Sequence, residues 1–493
     1  MKCKIVKRII AAATAAVMVS SMAGCGSKPV SGDTATDSIS ETTQSTQEVE
    51  TSLASTTDAS EEEQDGYTVL TDEDGNVYDL GGMEIIIRVG WSSGEEEEPN
   101  NSYEEARLEY IDWIQETYNF TIKELGISSW DGTPEDFVNY ATTGGDENYV
   151  FIVWQGSALV VAMNSGLMYD LSTLDCLDFS EDKWKSGVHE LMTSKDGKIY
   201  GMNAGTPEPR VGVYFNKRLI EEAGYNPEDL YTWQENGEWT WDKFSELCAA
   251  VQKDIDNDGV VDIYAETSQR AQIYSAAVYS NGGEFIGKDE NGYCNKLETN
   301  ETLDALNWSM DLILQYELPV PADAAWDYYV SAFKEGSAAF CVDDGYRFND
   351  FADMEDDWGF VCFPMGPNAT DYTNCFTDNV LTIPACYDAD KAWKIAFAYN
   401  LYTEPVPGYE DYEGWKSGYE SKSRDSESVD LTLARMIDNG MITYHNMIPN
   451  LSLGQDLLWT LGFADESGEI ATPAQKAEAL RATWGAYLAE ANK

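Results

Sequence analysis

Few residues in this chain are spaced for bond chemistry, and the clearest set is a metal-ligand pattern. In the loop 254–262, Asp254, Asp256, Asp258, Val260 and Asp262 alternate around Gly259. Carboxylates two apart on a tight turn converge on one hard cation, and the run matches the opening of a calcium-binding loop, with Val260 offering its carbonyl. The far end departs from that pattern: Ala265 stands where the bidentate Glu belongs, and Glu266 follows one place late. A structural calcium ion is one expectation; an Asx turn that holds no metal is the other. Histidine catalysis is short of parts, since His189 and His445 are the only two, and neither a Walker-type phosphate loop nor a zinc-protease helix motif occurs. The 88 acidic side chains could furnish the carboxylate pair of a glycoside hydrolase. At that density such pairs arise by chance, and most lie on a solvated surface.

Stacking chemistry is better supplied. A sugar presents flat C–H faces fringed with hydroxyls, and a protein meets it with aromatic faces and planar polar groups. The chain carries 15 Trp and 29 Tyr. Trp91 opens a Ser/Gly loop just after an apolar run, and Trp326, Tyr279 with Asn281, Arg347, and the neighbours Asp378 and Asn379 are further candidates. For each the alternative is a place in the core, on the surface or at a strand cap. With 31 basic against 88 acidic residues the net charge is −57, a field that repels phosphate backbones, so no nucleic-acid partner is expected. Seven cysteines follow Cys25, an odd number without a close pair; most are expected to be buried thiols, like Cys248, rather than parts of a disulfide framework or a zinc site.

The elements that must position these residues alternate between strand and helix. The run 84–89 reads as a buried strand feeding a loop at its carboxyl end, the side on which open α/β sheets bind ligands. Ser102 to Glu105 reads as a capping box for a helix with Leu108, Ile111, Ile114 and Tyr118 on one face. A second strand, 149–153, ends in Trp154. The apolar run 211–215 ends in Asn216, a good N-cap for a helix over 218–223, and Gly224 stops it. Thr240 is placed to cap a helix burying Phe244, Leu247, Cys248 and Val251. Leu303, Leu306, Met310 and Ile313 mark another, as do Ala392, Ile395, Ala396 and Tyr399, and the remainder to 493 is expected to be helical. At the other end, 1–24 has the plan of a signal peptide and 25–66 is too polar to offset chain entropy, so a disordered acidic Ser/Thr tether is expected.

The string Tyr214-Phe215-Asn216-Lys217-Arg218-Leu219-Ile220-Glu221-Glu222-Ala223-Gly224, followed by Pro227-Glu228 and Trp239-Thr240-Trp241-Asp242-Lys243-Phe244, resembles the signature of the extracellular solute-binding proteins of ABC importers, and more narrowly family 1, the oligosaccharide binders. The resemblance implies an α/β, two-lobed periplasmic-binding-protein-like fold of type II with a multi-stranded hinge. One lobe would comprise 82–208 plus about 376–405, the other 209–375 plus about 406–493, with a first crossing over 203–210. It also implies that Trp154 and Tyr346, which follows Val342-Asp343-Asp344-Gly345, stack on the ligand from opposite lobes. Met22-Ala23-Gly24-Cys25 looks like a lipobox, which implies cleavage before Cys25 and lipid on its sulfur. Some related sugar-binding proteins carry an acidic loop like 254–262, where the metal is structural.

On this reading the chain is a monomeric, lipid-anchored binding protein on the extracellular face of the bacterial cytoplasmic membrane. It captures a carbohydrate, delivers it to the transmembrane subunits of an ABC permease, and requires no cofactor; structural calcium in the acidic loop stays one of the two expectations given above. A secreted glycoside hydrolase and a surface adhesin without a permease are the rival readings.

Overall fold

Strands form where β-branched and aromatic residues run uninterrupted. The computed structural model describes residues 62–493 except 65–66, 93, 95–97, 155–156, 207, 378 and 411. The expected leader, Cys25 and nearly all of the polar stretch 25–66 lie outside the described residues, as does Asp378. In chain order the main strands are β1 (Met83–Val89), β2 (Phe120–Gly126), β3 (Asn148–Trp154), β4 (Glu208–Pro209), β5 (Val211–Asn216) and β6 (Tyr264–Ser268). There follow β7 (Ala338–Asp344), β8 (Trp358–Cys362), β9 (Asn374–Thr377), β10 (Asn379–Thr382) and β11 (Gly440–Met441).

They make two four-stranded sheets and a small connecting one. The first lobe is built on the order β10-β3-β1-β2, in which β1, β2 and β3 run parallel. The second has the order β8-β5-β7-β6, and every residue of β5, β7 and β8 is buried, as a sheet covered on both faces requires. Between them lies β11-β9-β4, where the two passages of chain from lobe to lobe pair with each other: Phe376 opposite Pro209 and Thr377 opposite Glu208. This is a multi-stranded hinge of backbone hydrogen bonds.

Helices cover the sheets: α1 (Ser102–Tyr118), α2 (Trp241–Val251), α3 (Arg270–Ser280), α4 (Ala389–Tyr402) and α5 (Pro473–Ala491). Asn216 and Thr240 cap as expected, accepting from the Leu219 and Lys243 amides, and Gly224 turns the chain at φ +93. The cap of α1 differs: Asn101, not Ser102, accepts the Glu104 amide, and the Glu104 carboxylate takes the Asn100 amide. The buried face of α1 is also rotated, with Tyr110, Ile114 and Tyr118 inside and Leu108 exposed. The cause is the segment 62–80. Its strands Glu62–Gln64 and Tyr67–Val69 form a hairpin, Tyr67 packs on Tyr110 and Trp113, and Tyr78 packs on Trp393 and Phe397 of α4. Tyr118 then closes the contact by accepting the Leu70 amide through its hydroxyl.

The tail departs most from expectation. Only α5 is a long helix; 439–453 is largely irregular and runs back along the hinge, where β11 pairs with β9. Met447 is buried in an apolar cluster of the first lobe, whereas Ile448, Leu451 and Leu453 belong to the core of the second.

Candidate ligand-binding cleft

A cavity of about 350 Å3 opens where the two lobes meet the hinge. Its position follows from sheet direction: parallel β1, β2 and β3 end at one edge, so the loops that follow them share that edge. Trp154, the last residue of β3, and Trp130, in the turn after β2, form the wall on the first lobe. The turn carrying Trp130 is pinned by Arg88 of β1, which donates to Ser128 (3.1 Å) and Asp136 (2.9 Å).

The opposite wall carries the charged groups, set among Val211, Leu453 and Leu458. Asp344 ends β7 directly opposite Val211, which brings its carboxylate to Arg210, at 2.7 Å from Nη1 to Oδ2. Gln272, in the first turn of α3, donates to the same oxygen at 3.0 Å. The other oxygen, Oδ1, is buried and has no hydrogen-bond partner within the protein. An acceptor in that condition costs free energy until a donor arrives. The Trp154 indole N–H, across the cavity wall, is likewise buried and unpartnered. Tyr279 of α3 forms part of the lining, with Cys375 of β9 and Thr443, His445 and Asn446 from the tail. Burial pushes the His445 imidazole down to about 4, so it is neutral at physiological pH. With one guanidinium matched by one carboxylate, the lining suits an uncharged ligand rich in hydroxyls.

Of the residues proposed from sequence, Trp154 and Tyr279 line the cavity. Trp91 lies beside it, 53% exposed, with its ring 5.6 Å from that of Trp130. Tyr346 follows Asp344 by two residues, is 37% exposed, and rests on the Arg347 guanidinium at 4.9 Å. Asn379 begins β10 opposite Trp154, with a buried carbonyl oxygen that has no partner. Three candidates are placed elsewhere. Asn281 is fully buried and spends its amide on Glu301 and the Asn368 N–H, holding a turn. Arg347 is tied to Asp343, Asp350 and the Tyr329 hydroxyl inside the second lobe. Trp326 is 73% exposed on the open surface.

The acidic loop lies between α2 and β6 and gives nothing to the cavity. Oxygens of Asp254, Asp256 and Asp262 lie within 4.8 Å of one another. Asp258 instead accepts the Val260 amide, and Val260 itself is exposed. Sequence reasoning missed Trp130, Arg210, Gln272, Asp344 and the tail residues. Asp344 and Arg210 lie inside stretches that the sequence marks for other reasons, the run 342–345 and the first crossing 203–210, and the tail carries no local signal at all.

Residues 174–399 match the model of the bacterial extracellular solute-binding protein family. An arabinooligosaccharide-binding protein of Halalkalibacterium halodurans is 24% identical over 237 residues, 43% of this chain and 48% of that protein, so the chain matches about half the length of this relative. Among solved structures, UgpB from Mycobacterium tuberculosis in complex with glycerophosphocholine is 17% identical with a TM-score of 0.58, over 83% of this chain and 99% of that one. The GacH receptor of Streptomyces glaucescens is 13% identical with a TM-score of 0.55, over 83% and 99%. The sugar-binding protein MalE from Xanthomonas citri is 15% identical with a TM-score of 0.55, over 83% and 98%. These likenesses carry the two-lobed type II fold.

Proposed function

Starting from a chain similar in sequence and fold to the bacterial extracellular solute-binding proteins, we propose that it captures a carbohydrate between its lobes and passes it, chemically intact, to the permease of an ABC importer. The observation that carries this reading is the cavity itself: indole faces on one wall, and on the other a buried Asp344 oxygen waiting for a donor beside Arg210. Flat apolar faces opposed to planar hydrogen-bonding groups are what a sugar ring requires. The cavity is at the small end of the roughly 300–1,000 Å3 of ligand sites, enough to enclose about one or two rings.

Ligand bound to both walls favours a closed arrangement already present as a minority, and the paired hinge strands take up the motion. Lipid on Cys25 would hold the protein at the outer face of the membrane, and two acyl chains suffice for stable anchoring. Among the described residues no helix is long and apolar enough to cross a membrane. Calcium in the 254–262 loop would be structural, held by Asp254, Asp256 and Asp262.

The test is a thermal-shift screen followed by titration calorimetry over arabino- and malto-oligosaccharides of graded length, since a ligand that binds only the folded state raises its melting temperature. At least one series should bind with no new reducing ends appearing on long incubation. Binding by none, or hydrolysis of those bound, would overturn the assignment.

A further inference from the structure

The tail passes from one lobe to the other within a single peptide bond. Met447 is 5% exposed and packs in the apolar cluster of the first lobe, with Phe137, Val153, Leu159 and Val160. Its seat includes the helix Ser157–Asn164, which comes just after Trp154 in the chain. Ile448, the next residue, is fully buried in the core of the second lobe, and Leu451 and Leu453 follow it there. Consecutive Cα atoms are about 3.8 Å apart, so the chain holds no slack at this joint. If the lobes part here, one of the two side chains must leave its cluster.

The two anchorages are unequal. From Ile448 onward the chain enters the second core with Leu451, Leu453, Leu457 and Leu461, whereas of the strap residues 442–447 only Met447 is buried. Ile442 also rests on the first lobe, where an added Cβ on Gly187 would come within 2.9 Å of its Cδ1, but it is only half-buried. Tyr444 touches both clusters and is braced from the second lobe, its ring 5.9 Å from that of Tyr293 and 5.6 Å from the Lys288 ammonium. Tyr293 is itself fixed to the end of α5: its amide donates to the Asn492 side chain, which donates back to its carbonyl, both at 2.8 Å. Buried apolar area decides such a contest, and most of it lies with the second lobe. Met447 is therefore the side chain that lets go. Between the anchors the strap presents Thr443, His445 and Asn446 to the cavity, while Met447 gives nothing to the lining.

We infer that Met447 is a positioning residue, a plug that seats in the first lobe only when the lobes close and thereby sets Thr443, His445 and Asn446 against the ligand. On opening it withdraws with the second lobe and takes that wall of the site along. The inference rests on the lobe motion of the reading above and adds a wall that closure itself assembles. To test it, the ligand-free full chain is treated with dilute hydrogen peroxide, and sulfoxide formation is followed by peptide mass spectrometry at Met447 and at Met436, a reference 1% exposed in the second core. Met447 should oxidise about tenfold faster than Met436 or more, since its burial is lost in each opening. A saccharide of the series above that binds should slow Met447 severalfold and leave Met436 unchanged. In titration calorimetry Met447→Ala should weaken every bound saccharide by one common factor, about tenfold or about 1.4 kcal/mol, while Met447→Leu, close in volume, should bind like the wild type. Oxidation of Met447 as slow as that of Met436, a rate unmoved by bound saccharide, or wild-type affinity in Met447→Ala would each overturn the plug and leave the carbohydrate reading standing. If no saccharide binds, that reading falls, and the two ligand-free rates still decide the plug.

Discussion

Glu266 offers the sharpest quantitative expectation. It lies on β6 in the core of the second lobe with none of its surface exposed, and neither carboxylate oxygen has a hydrogen-bond partner. Burial, reinforced by the charge of Glu317, pushes its pKa up to about 8, and Ser268 and Arg270 bring it only part of the way back. In the unfolded chain the same carboxyl titrates near 4.5. Between those values the unfolded state gives up a proton that the folded state keeps. The stability this group contributes is therefore complete below about pH 4.5 and is lost as pH rises through about 8. At about 1.4 kcal/mol per pH unit for one proton, the full loss is on the order of 4–5 kcal/mol. Glu266→Gln matches the neutral acid in shape and polarity and does not titrate. Denaturant unfolding of both proteins across about pH 5 to pH 8, followed by circular dichroism, should show the variant gaining on the wild type by about 3 kcal/mol, the titration of other carboxylates cancelling in the difference. Parallel curves for the two proteins would refute the claim that this carboxyl folds protonated.

Three further outcomes are expected. Trp154→Ala should weaken saccharide binding tenfold or more, about 1.4 kcal/mol at least, with little change in Tm; Tyr346→Ala should cost less, because that ring already rests on Arg347. Calorimetric affinities unchanged in both variants would refute the placement of the ligand. Asp344→Asn leaves Arg210 without its counter-charge and should cost about 3 kcal/mol of stability as well as ligand affinity, read by scanning calorimetry and titration respectively. Calcium should raise the Tm of the wild type, and Asp254→Asn with Asp262→Asn should abolish the rise; an EDTA-insensitive Tm would mean that the loop holds itself through its own amide contacts, such as Asp258 and Gly259 to Asp254.

Local chemistry was legible and long-range register was not. Asn216, Gly224 and Thr240 act through neighbours three or four residues away, and their roles follow from the sequence. The buried face of α1 could not be read in the same way, because it is set by Tyr67 and Tyr78 from a segment with no helical or strand period of its own. Trp154 was found because it ends a recognisable strand. Asp344 meets Arg210 only through the pairing of β7 with β5, across more than a hundred residues of chain, and its neighbour Arg347 turns inward because Asp343, raised by burial and by the charge of Asp344, needs a partner there. Two successive acidic residues on one strand point to opposite faces; which of them meets the cleft depends on the sheet. The irregular stretch 439–453 carries no periodicity, yet it delivers Thr443, His445 and Asn446 to the cavity.

The hairpin segment 62–80 rivets the beginning of the described chain to α1 and α4. Any pull exerted through the residues upstream is thus borne by the first lobe, the one that carries Trp154 and Trp130. With the chain anchored through Cys25 as proposed, that lobe would be the stator, held like the fixed arm of a caliper, and the second lobe, with Arg210 and Asp344, would be the arm that swings. A surface waiting to dock the loaded protein would then meet a stationary half in constant orientation and sense cargo from the position of the other half alone.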